Sequence, residues 1–446
     1  MGMACGPMDL WGLAETKRGK VMANIDEAGI LPVSEPDSIF QFYRDMNGQG
    51  RRTFWACTAG WTLDGMDFML FPLAIGTLVT AFGTDPKALG GIVSLTVLCS
   101  AVGGWLAGFL SDRIGRVRTM QLTILIFSIG SLASALAQNV DQLTIARACL
   151  GVGFGGEAAV AAVTLSEVVA SKSRGRAMGF YQSSYAVGWG LALIVQAICF
   201  ATLTPEYAWR VMFFVGAAPA LLIFFIRRNV KEPQVAILAR SKEPAVSFFR
   251  IFDAANIRAT LTGSFLTIGA QGGFYALMTW VPQFLRSERK ISILASTPYL
   301  MTLIGGCFIG YIAGGWLSDK FGRRHVFLFF SAAAAASVYI YTHLPLTDAE
   351  MLLLGFPLGF FAVGYYSALM ACLNEMFVTR VRGAGVGFTY NAGRAVGGLF
   401  PYLVGALAAT TTLSSAISVF ALTSYGLVFL VALLLLRETK GSDLSI

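Results

Sequence analysis

The sequence predicts an all-α polytopic membrane protein with twelve transmembrane helices in two pseudo-symmetric six-helix bundles. Three observations predict it: a composition too lean in charge for a water-covered globule, twelve apolar runs of spanning length, and a charged loop motif that occurs twice. Of 446 residues, 56% are hydrophobic and 13% charged, and the mean hydropathy is +0.66. Soluble domains carry about 25% charged residues, so half that fraction cannot clothe a chain of this length in polar side chains. A soluble cytosolic enzyme, a fibrous protein and a disordered chain are thereby excluded.

A bilayer core of about 30 Å is crossed by about 20 helical residues. Runs of that kind lie near 54–82, 88–110, 118–137, 142–169, 176–203 and 208–227, and again near 259–285, 293–317, 325–343, 350–377, 384–408 and 412–436. The stretch between the sixth and seventh runs is dense in charge and carries Pro233 and Pro244, which marks it as a linker. The expected organisation is a cytoplasmic segment 1–52, a six-helix bundle 53–228, a cytoplasmic linker 229–257, a second bundle 258–437 and a cytoplasmic tail 438–446.

Charge fixes the orientation. Among the 33 Lys and Arg, only Lys87, Arg210, Arg286, Arg289 and Lys290 fall on the segments assigned outside, and Arg147 and Arg394 fall within spans. All others lie on segments placed inside, which by the positive-inside bias puts both termini in the cytoplasm. The basic residues alternate with apolar runs instead of forming one patch, so nucleic acid is not an expected partner; lipid is. No cleavable signal peptide is expected, because residues 1–52 lack an apolar core followed by a small-residue cleavage site. The seven cysteines are scattered through apolar runs without a C-x-x-C pair and are read as small buried hydrophobes, with no metal site.

The motif that repeats is Gly108-Phe-Leu-Ser-Asp112-Arg113-Ile-Gly115-Arg116, matched by Gly315-Trp-Leu-Ser-Asp319-Lys320-Phe-Gly322-Arg323. Glu167 and Arg174 at the end of the fourth run are matched by Glu375 and Arg382 at the end of the tenth, at the same offset within one residue. Two loops at one offset identify parallel repeats related by an axis along the membrane normal. In each loop the Asp is expected to pair with a helix end or an Arg, the Gly to supply a φ > 0 turn, and the basic residues to anchor at the anionic leaflet. Glu167, Arg174, Glu375 and Arg382 are expected in inter-helix salt bridges that lock one conformational state.

This nine-residue pattern resembles the G-x-x-x-D-[RK]-x-G-[RK] signature of the major facilitator superfamily, and the resemblance spans roughly residues 53–441. It implies two bundles with a solute site at midplane between them, worked by alternating access.

Ionisable side chains within a span cost about 2.5–3.5 kcal/mol each and are therefore functional candidates. Asp64 and Asp67 lie near midplane of the first span at i, i+3, on one helix face. Two carboxylates so close in low dielectric cannot both stay charged cheaply, which suits proton coupling, and Glu157 in span four joins them as a coupling candidate. Arg147 in span four and Arg394 in span eleven place one guanidinium on each half, and forked donors suit a carboxylate. Gln271, Tyr275, Tyr365, Asn391 and Arg394 are expected to line a cavity of mixed polar and ring character. The other aromatic residues of these spans, among them Phe68, Phe71, Tyr181, Tyr185, Trp189, Phe274, Trp280, Tyr366 and Tyr390, are expected mostly at lipid-facing or belt positions.

Gly151-Val-Gly153-Phe-Gly155-Gly156 satisfies G-x-G-x-x-G, but no strand precedes it, and small residues in an apolar helix serve close packing instead. No Walker A, H-E-x-x-H or G-x-S-x-G string occurs, so no enzyme activity is expected. Leu63-Asp64-Gly65-Met66-Asp67-Phe68, Gly155-Gly156-Glu157 and Asn391-Ala-Gly-Arg394 are similar to proton symporters of organic acids within the superfamily, notably the aromatic-acid branch with its cis,cis-muconate transporters and the sialate/monocarboxylate branch. That resemblance implies uptake of a small organic anion by a monomer in the plasma (inner) membrane, with protons as coupling ion and no cofactor. The alternative is a proton-coupled exporter of hydrophobic compounds, although span five lacks the proline that the antiporter signature carries.

Overall fold

The computed structural model describes residues 40–169, 174–218, 220, 248–377 and 379–439. Apart from Phe40 and Gln41, these belong to one compact unit beginning at Phe42. Among the described residues every regular element is helical. A short α1 (Gln41–Arg44) precedes α2 (Gly48–Phe82), α3 (Pro86–Ile114), α4 (Arg116–Leu136), α5 (Val140–Val168), α6 (Arg174–Thr202) and α7 (Pro205–Gly216). A 3-10 turn at Phe248–Phe252 leads into α8 (Ile257–Ser287), α9 (Thr297–Phe321), α10 (Arg323–His343), α11 (Asp348–Val363), α12 (Tyr366–Met376), α13 (Thr379–Gly397), α14 (Phe400–Ala408) and α15 (Leu413–Leu434). Among the described residues, 8 helical stretches are long and apolar enough to cross a membrane.

The helices pack in matching ways in the two halves of the chain. In the first, α3 lies on α5 and α2 on α6; in the second, α9 lies on α11 and α8 on α13. Contacts between the halves run along α6 with α9, and along α3 with α13 and α14. The repeated loops also match. Gly115 between α3 and α4 has φ 111°, and Gly322 between α9 and α10 has φ 101°. Both values lie where side chains with a Cβ are disfavoured, so the two turns demand glycine as the sequence expects.

The Gly151–Gly156 string is a packing device. A Cβ on Gly151 would overlap the Thr96 carbonyl oxygen of α3, and one on Gly155 that of Ser100. Without side chains at these positions α5 lies backbone to backbone on α3, which fixes its rotation and the direction of Glu157.

Two expected spans are interrupted. The run at 350–377 breaks between α11 and α12 at Gly364-Tyr365, and the run at 384–408 breaks between α13 and α14 at Gly398-Leu399. Glycine weakens the helix at both places, and Pro401, in the first turn of α14, has no N–H to bond back to Gly397. The expectation of lipid-facing aromatics is also corrected. Of those named above all but Tyr390 are buried, because rings from both halves fill the space between the helices. The described cysteines are free.

At the end opposite the repeated loops the halves touch directly. Tyr402 N donates to Ser94 Oγ at 3.0 Å, and the Arg286 guanidinium reaches Leu73 O at 3.5 Å. Trp280 Nε1 donates to Pro401 O at 3.1 Å, and the backbone of Gly90 in α3 fits against that same oxygen. This end is closed.

Candidate functional site

Rings and amides from both halves converge on a central cavity of about 30 Å³, to which α2, α5 and α6 contribute Trp61, Phe154, Gln182 and Tyr185. Gln271, Phe274 and Tyr275 of α8, Tyr311 of α9, Tyr366 of α12, and Tyr390 and Arg394 of α13 complete the lining. That volume holds about one or two water molecules, so an organic solute enters only if rings and halves move apart.

Arg394 is delivered to the cavity by the seating of α13 on α8. Gly393 abuts the backbone of Thr267 and Gly397 that of Gly272, while Thr267 Oγ1 donates to Thr389 O at 2.6 Å. The guanidinium then lies 4.9 Å from the ring centre of Phe154 and 5.2 Å from that of Tyr390, within reach of the Tyr275 and Tyr390 hydroxyls. It is 2% exposed, and its Nε has no acceptor. Among the described residues no carboxylate stands within ion-pair distance of it. A buried cation held by ring faces and hydroxyls keeps donors free for an anion.

The two first-span aspartates have different partners. Asp64 faces Glu157 of α5, with Arg394 the nearest balancing charge. Both are buried, and neither Glu157 oxygen nor Asp64 Oδ2 has a hydrogen-bond donor. Facing each other without donors in a dry surrounding, the two carboxyls cost most when both are charged. Asp67 instead pairs with Arg147 at 3.5 Å and accepts from Ser131 Oγ at 2.5 Å. Arg147 is sandwiched between the rings of Phe71 and Phe213, at 5.0 and 5.6 Å. This second pair lies inside the first half, off the cavity lining.

The structure thus brings together Asp64, Glu157, Arg394, Tyr275 and Gln271, whose Nε2 is unpaired. It separates Asp67 and Arg147 from them. Asn391 donates Nδ2 to Gly387 O at 2.9 Å and packs on Gly104 of α3, between the halves but off the lining. Tyr365 points into the second half, 6.0 Å from the Phe327 ring and 6.5 Å from that of Tyr425. Its neighbour Tyr366 takes the cavity position and donates to Ala270 O at 2.8 Å. Trp61, Phe154, Gln182 and Tyr311 were not singled out by the sequence; a buried Gln in an apolar run was the one signal available for Gln182.

In the second repeated loop Arg323 bonds Asp319 at 2.7 Å and Glu375 at 3.0 Å, and Glu438 accepts the Arg323 backbone N–H at 2.8 Å. Gly315 is buried in α9 at this end. Glu375 therefore has an inter-helix partner in Arg323. The side chains of Asp112, Arg113, Arg116, Glu167, Arg174 and Arg382, with Gly108, lie outside the described residues, as do most of the linker and the tail beyond Thr439.

The Asp67–Arg147 pair makes a stability prediction. Asp67→Asn leaves a guanidinium buried without its counter-charge, which costs about 3–5 kcal/mol. The yield of monodisperse protein and its melting temperature should fall, and Asp67→Asn combined with Arg147→Met should recover most of the loss. A double variant as unstable as the single one would show that the pair is not what Asp67 contributes.

Comparison with known proteins identifies the family. The family model described as Major Facilitator Superfamily matches residues 57–314 and 291–445. A probable 4-methylmuconolactone transporter of Cupriavidus pinatubonensis is 37% identical over 404 residues, covering 90% of this chain and 94% of that protein. A cis,cis-muconate transport protein of Acinetobacter baylyi is 29% identical over 354 residues, covering 78% of this chain and 84% of its own. Among solved structures, the partially occluded inward-open xylose transporter XylE of E. coli superposes with a TM-score of 0.69 at 19% identity, covering 89% of this chain and 100% of that one. Helices of spanning length, a repeated signature loop and a polar centre between two matching halves come together here with a family match over most of the sequence: the chain belongs to the Major Facilitator Superfamily, and is a multi-pass membrane transporter, not an enzyme.

Proposed function

We propose that this transporter is a proton-coupled symporter that takes up a small organic carboxylate with an apolar or unsaturated body. Twelve spans in two six-helix bundles, 53–228 and 258–437, rock about the central cavity, with both termini on the cytoplasmic side of the plasma membrane. The observation that carries the reading is Arg394: a buried guanidinium on the second half, ringed by aromatic side chains, without a carboxylate in ion-pair distance among the described residues, and facing the Asp64–Glu157 pair of the first half. The names of the relatives, a muconolactone and a muconate transporter, support the same class of solute.

The charge balance of the site supplies a mechanism. With one proton between Asp64 and Glu157, the pair carries one negative charge and Arg394 one positive, and the buried cluster is neutral. A substrate carboxylate that docks on Arg394 brings a second negative charge. Burying it uncompensated would cost several kcal/mol, so the cluster takes up a second proton as the anion binds. Proton and anion then cross together, and ring faces of Phe154, Tyr275 and Tyr366 embrace the apolar body. No cofactor is required; the proton is the coupling ion.

The test is uptake into proteoliposomes with an imposed inward proton gradient, using benzoate, 4-hydroxybenzoate, protocatechuate and cis,cis-muconate. Accumulation of one acid, abolished by a protonophore, is the expected result. Expulsion of preloaded hydrophobic cations without accumulation of any acid would replace the symport reading by proton-coupled export.

A further inference from the structure

A second cavity, of about 750 Å³, opens at the closed end of the molecule, where α2, α6 and α8 meet the segment after α8. On the orientation proposed above this end faces outward. The central cavity is too small for an organic solute in this conformation; the vestibule is not. Its walls divide by chemistry. Phe200, Ile291, Ile293 and Leu294 form an apolar side, and Arg286 and Lys290 supply two cations.

Neither cation is balanced. Arg286 meets only neutral acceptors: Leu73 O at 3.5 Å, Gln283 Oε1 at 3.2 Å and Pro282 O at 3.4 Å. No carboxylate pairs with Arg286 or Lys290 among the described residues. Lys290 stands at φ 57°, a backbone region that a residue with a side chain occupies at a cost, and the turn it makes sets it on the rim. Half-buried and forked, Arg286 also lies directly on α2: a Cβ on Gly76 would come within 2.9 Å of its guanidinium carbon. The side chain is thus both the floor of the vestibule and a contact between the two halves.

From this geometry we infer that the vestibule is a separate capture site for an organic carboxylate: Arg286 and Lys290 hold the carboxylate, and the apolar wall takes its body. Engaging the anion draws the guanidinium away from Leu73 O and loosens the contact that closes this end. The inference rests on the symport reading for its solute, but it concerns different residues from the central site and acts from one side of the membrane only.

Sidedness is the test. Uptake of benzoate and cis,cis-muconate is measured in right-side-out vesicles and in everted vesicles for the wild type, Arg286→Gln, Lys290→Gln and the charge-keeping Lys290→Arg. Losing a charge-assisted contact should raise the KM from the outer side about tenfold for Arg286→Gln and about threefold to tenfold for Lys290→Gln. The Lys290→Gln effect should shrink at high salt, Lys290→Arg should behave as wild type, and the KM from the inner side should stay within about twofold. Unchanged KM from both sides, or equal shifts on both, overturns the capture site while the wild type's own uptake still supports symport. A wild type that carries neither acid, yet whose purified full chain binds benzoate less tightly after Arg286→Gln, would keep the vestibule and sink the symport reading; no uptake and no such binding would sink both.

Discussion

Arg394→Lys is expected to raise the KM for a carboxylate substrate at least about tenfold, and Arg394→Gln to lower kcat/KM by about a hundredfold or more, with folded protein recovered in both cases. The guanidinium carbon lies 4.9 Å from the ring centre of Phe154 and 5.2 Å from that of Tyr390, and Arg394 lines the cavity. An ammonium at the same place keeps the charge but loses both the paired N–H geometry and the stacking. A hydrogen bond to a charged group is worth about 1.5–3 kcal/mol, and about 1.4 kcal/mol is a factor of ten in affinity, so losing one arm of the fork gives the tenfold estimate. Neutral Gln loses the charge as well. It also leaves Asp64 and Glu157 without their balancing cation, so the cluster is neutral only when both carboxyls hold protons. Uptake of labelled substrate over a concentration series reads both effects, with size-exclusion chromatography to confirm folding. A Lys variant with wild-type KM would remove Arg394 from the substrate site.

The fold was legible because lipid imposes simple rules. Apolar length, Lys and Arg asymmetry and the repeated Asp-[Arg/Lys]-x-Gly-Arg loop are one-dimensional signals, and Gly115 and Gly322 adopt positive φ as that loop demands. Glu157, Arg394, Tyr275 and Gln271 were legible as site candidates because polar groups stand out in apolar helices. What the sequence could not reveal was rotation. Asp64 and Asp67 share a face by spacing, yet α5 runs antiparallel to α2 and presents Glu157 to one and Arg147, about 15 Å further along its axis, to the other. Burial alone does not separate a group that faces a cavity from one that faces a partner. The break at Gly364-Tyr365 made the same difference for neighbouring tyrosines, turning Tyr366 to the cavity and Tyr365 to the second-half core. A uniform helix drawn through 350–377 hides that exchange.

Asp64→Asn combined with Glu157→Gln is expected to abolish proton-driven accumulation while exchange of labelled for unlabelled substrate continues at a rate within about threefold of wild type. The two carboxyls face each other with three of their oxygens lacking a donor, and like charges at such contact in a dry interior are too costly to coexist. On the proposed mechanism a proton therefore comes and goes as the substrate anion comes and goes. Amides in place of both carboxyls carry their own N–H donors, so the facing pair is satisfied without a proton. They also leave Arg394 as the one charge of the cluster, which the incoming anion neutralises, so no proton is needed to receive it. Alternating access should survive, because the contacts between the halves along α6 with α9 and α3 with α13 and α14 are left in place. Coupling does not survive, because the stored energy of the gradient no longer has a group to act on. The dependence of uptake on external pH should flatten at the same time. Counterflow in proteoliposomes, run beside gradient-driven uptake on the same preparation, separates the two activities. Accumulation at full strength in the double variant would show that the Asp64–Glu157 pair does not carry the proton. Loss of counterflow together with accumulation would place these carboxyls in substrate binding or folding instead. The Asp67→Asn, Arg147→Met pair of changes provides the internal contrast: once stability is restored, accumulation should persist, since those two residues balance each other off the cavity and face no group that the substrate displaces.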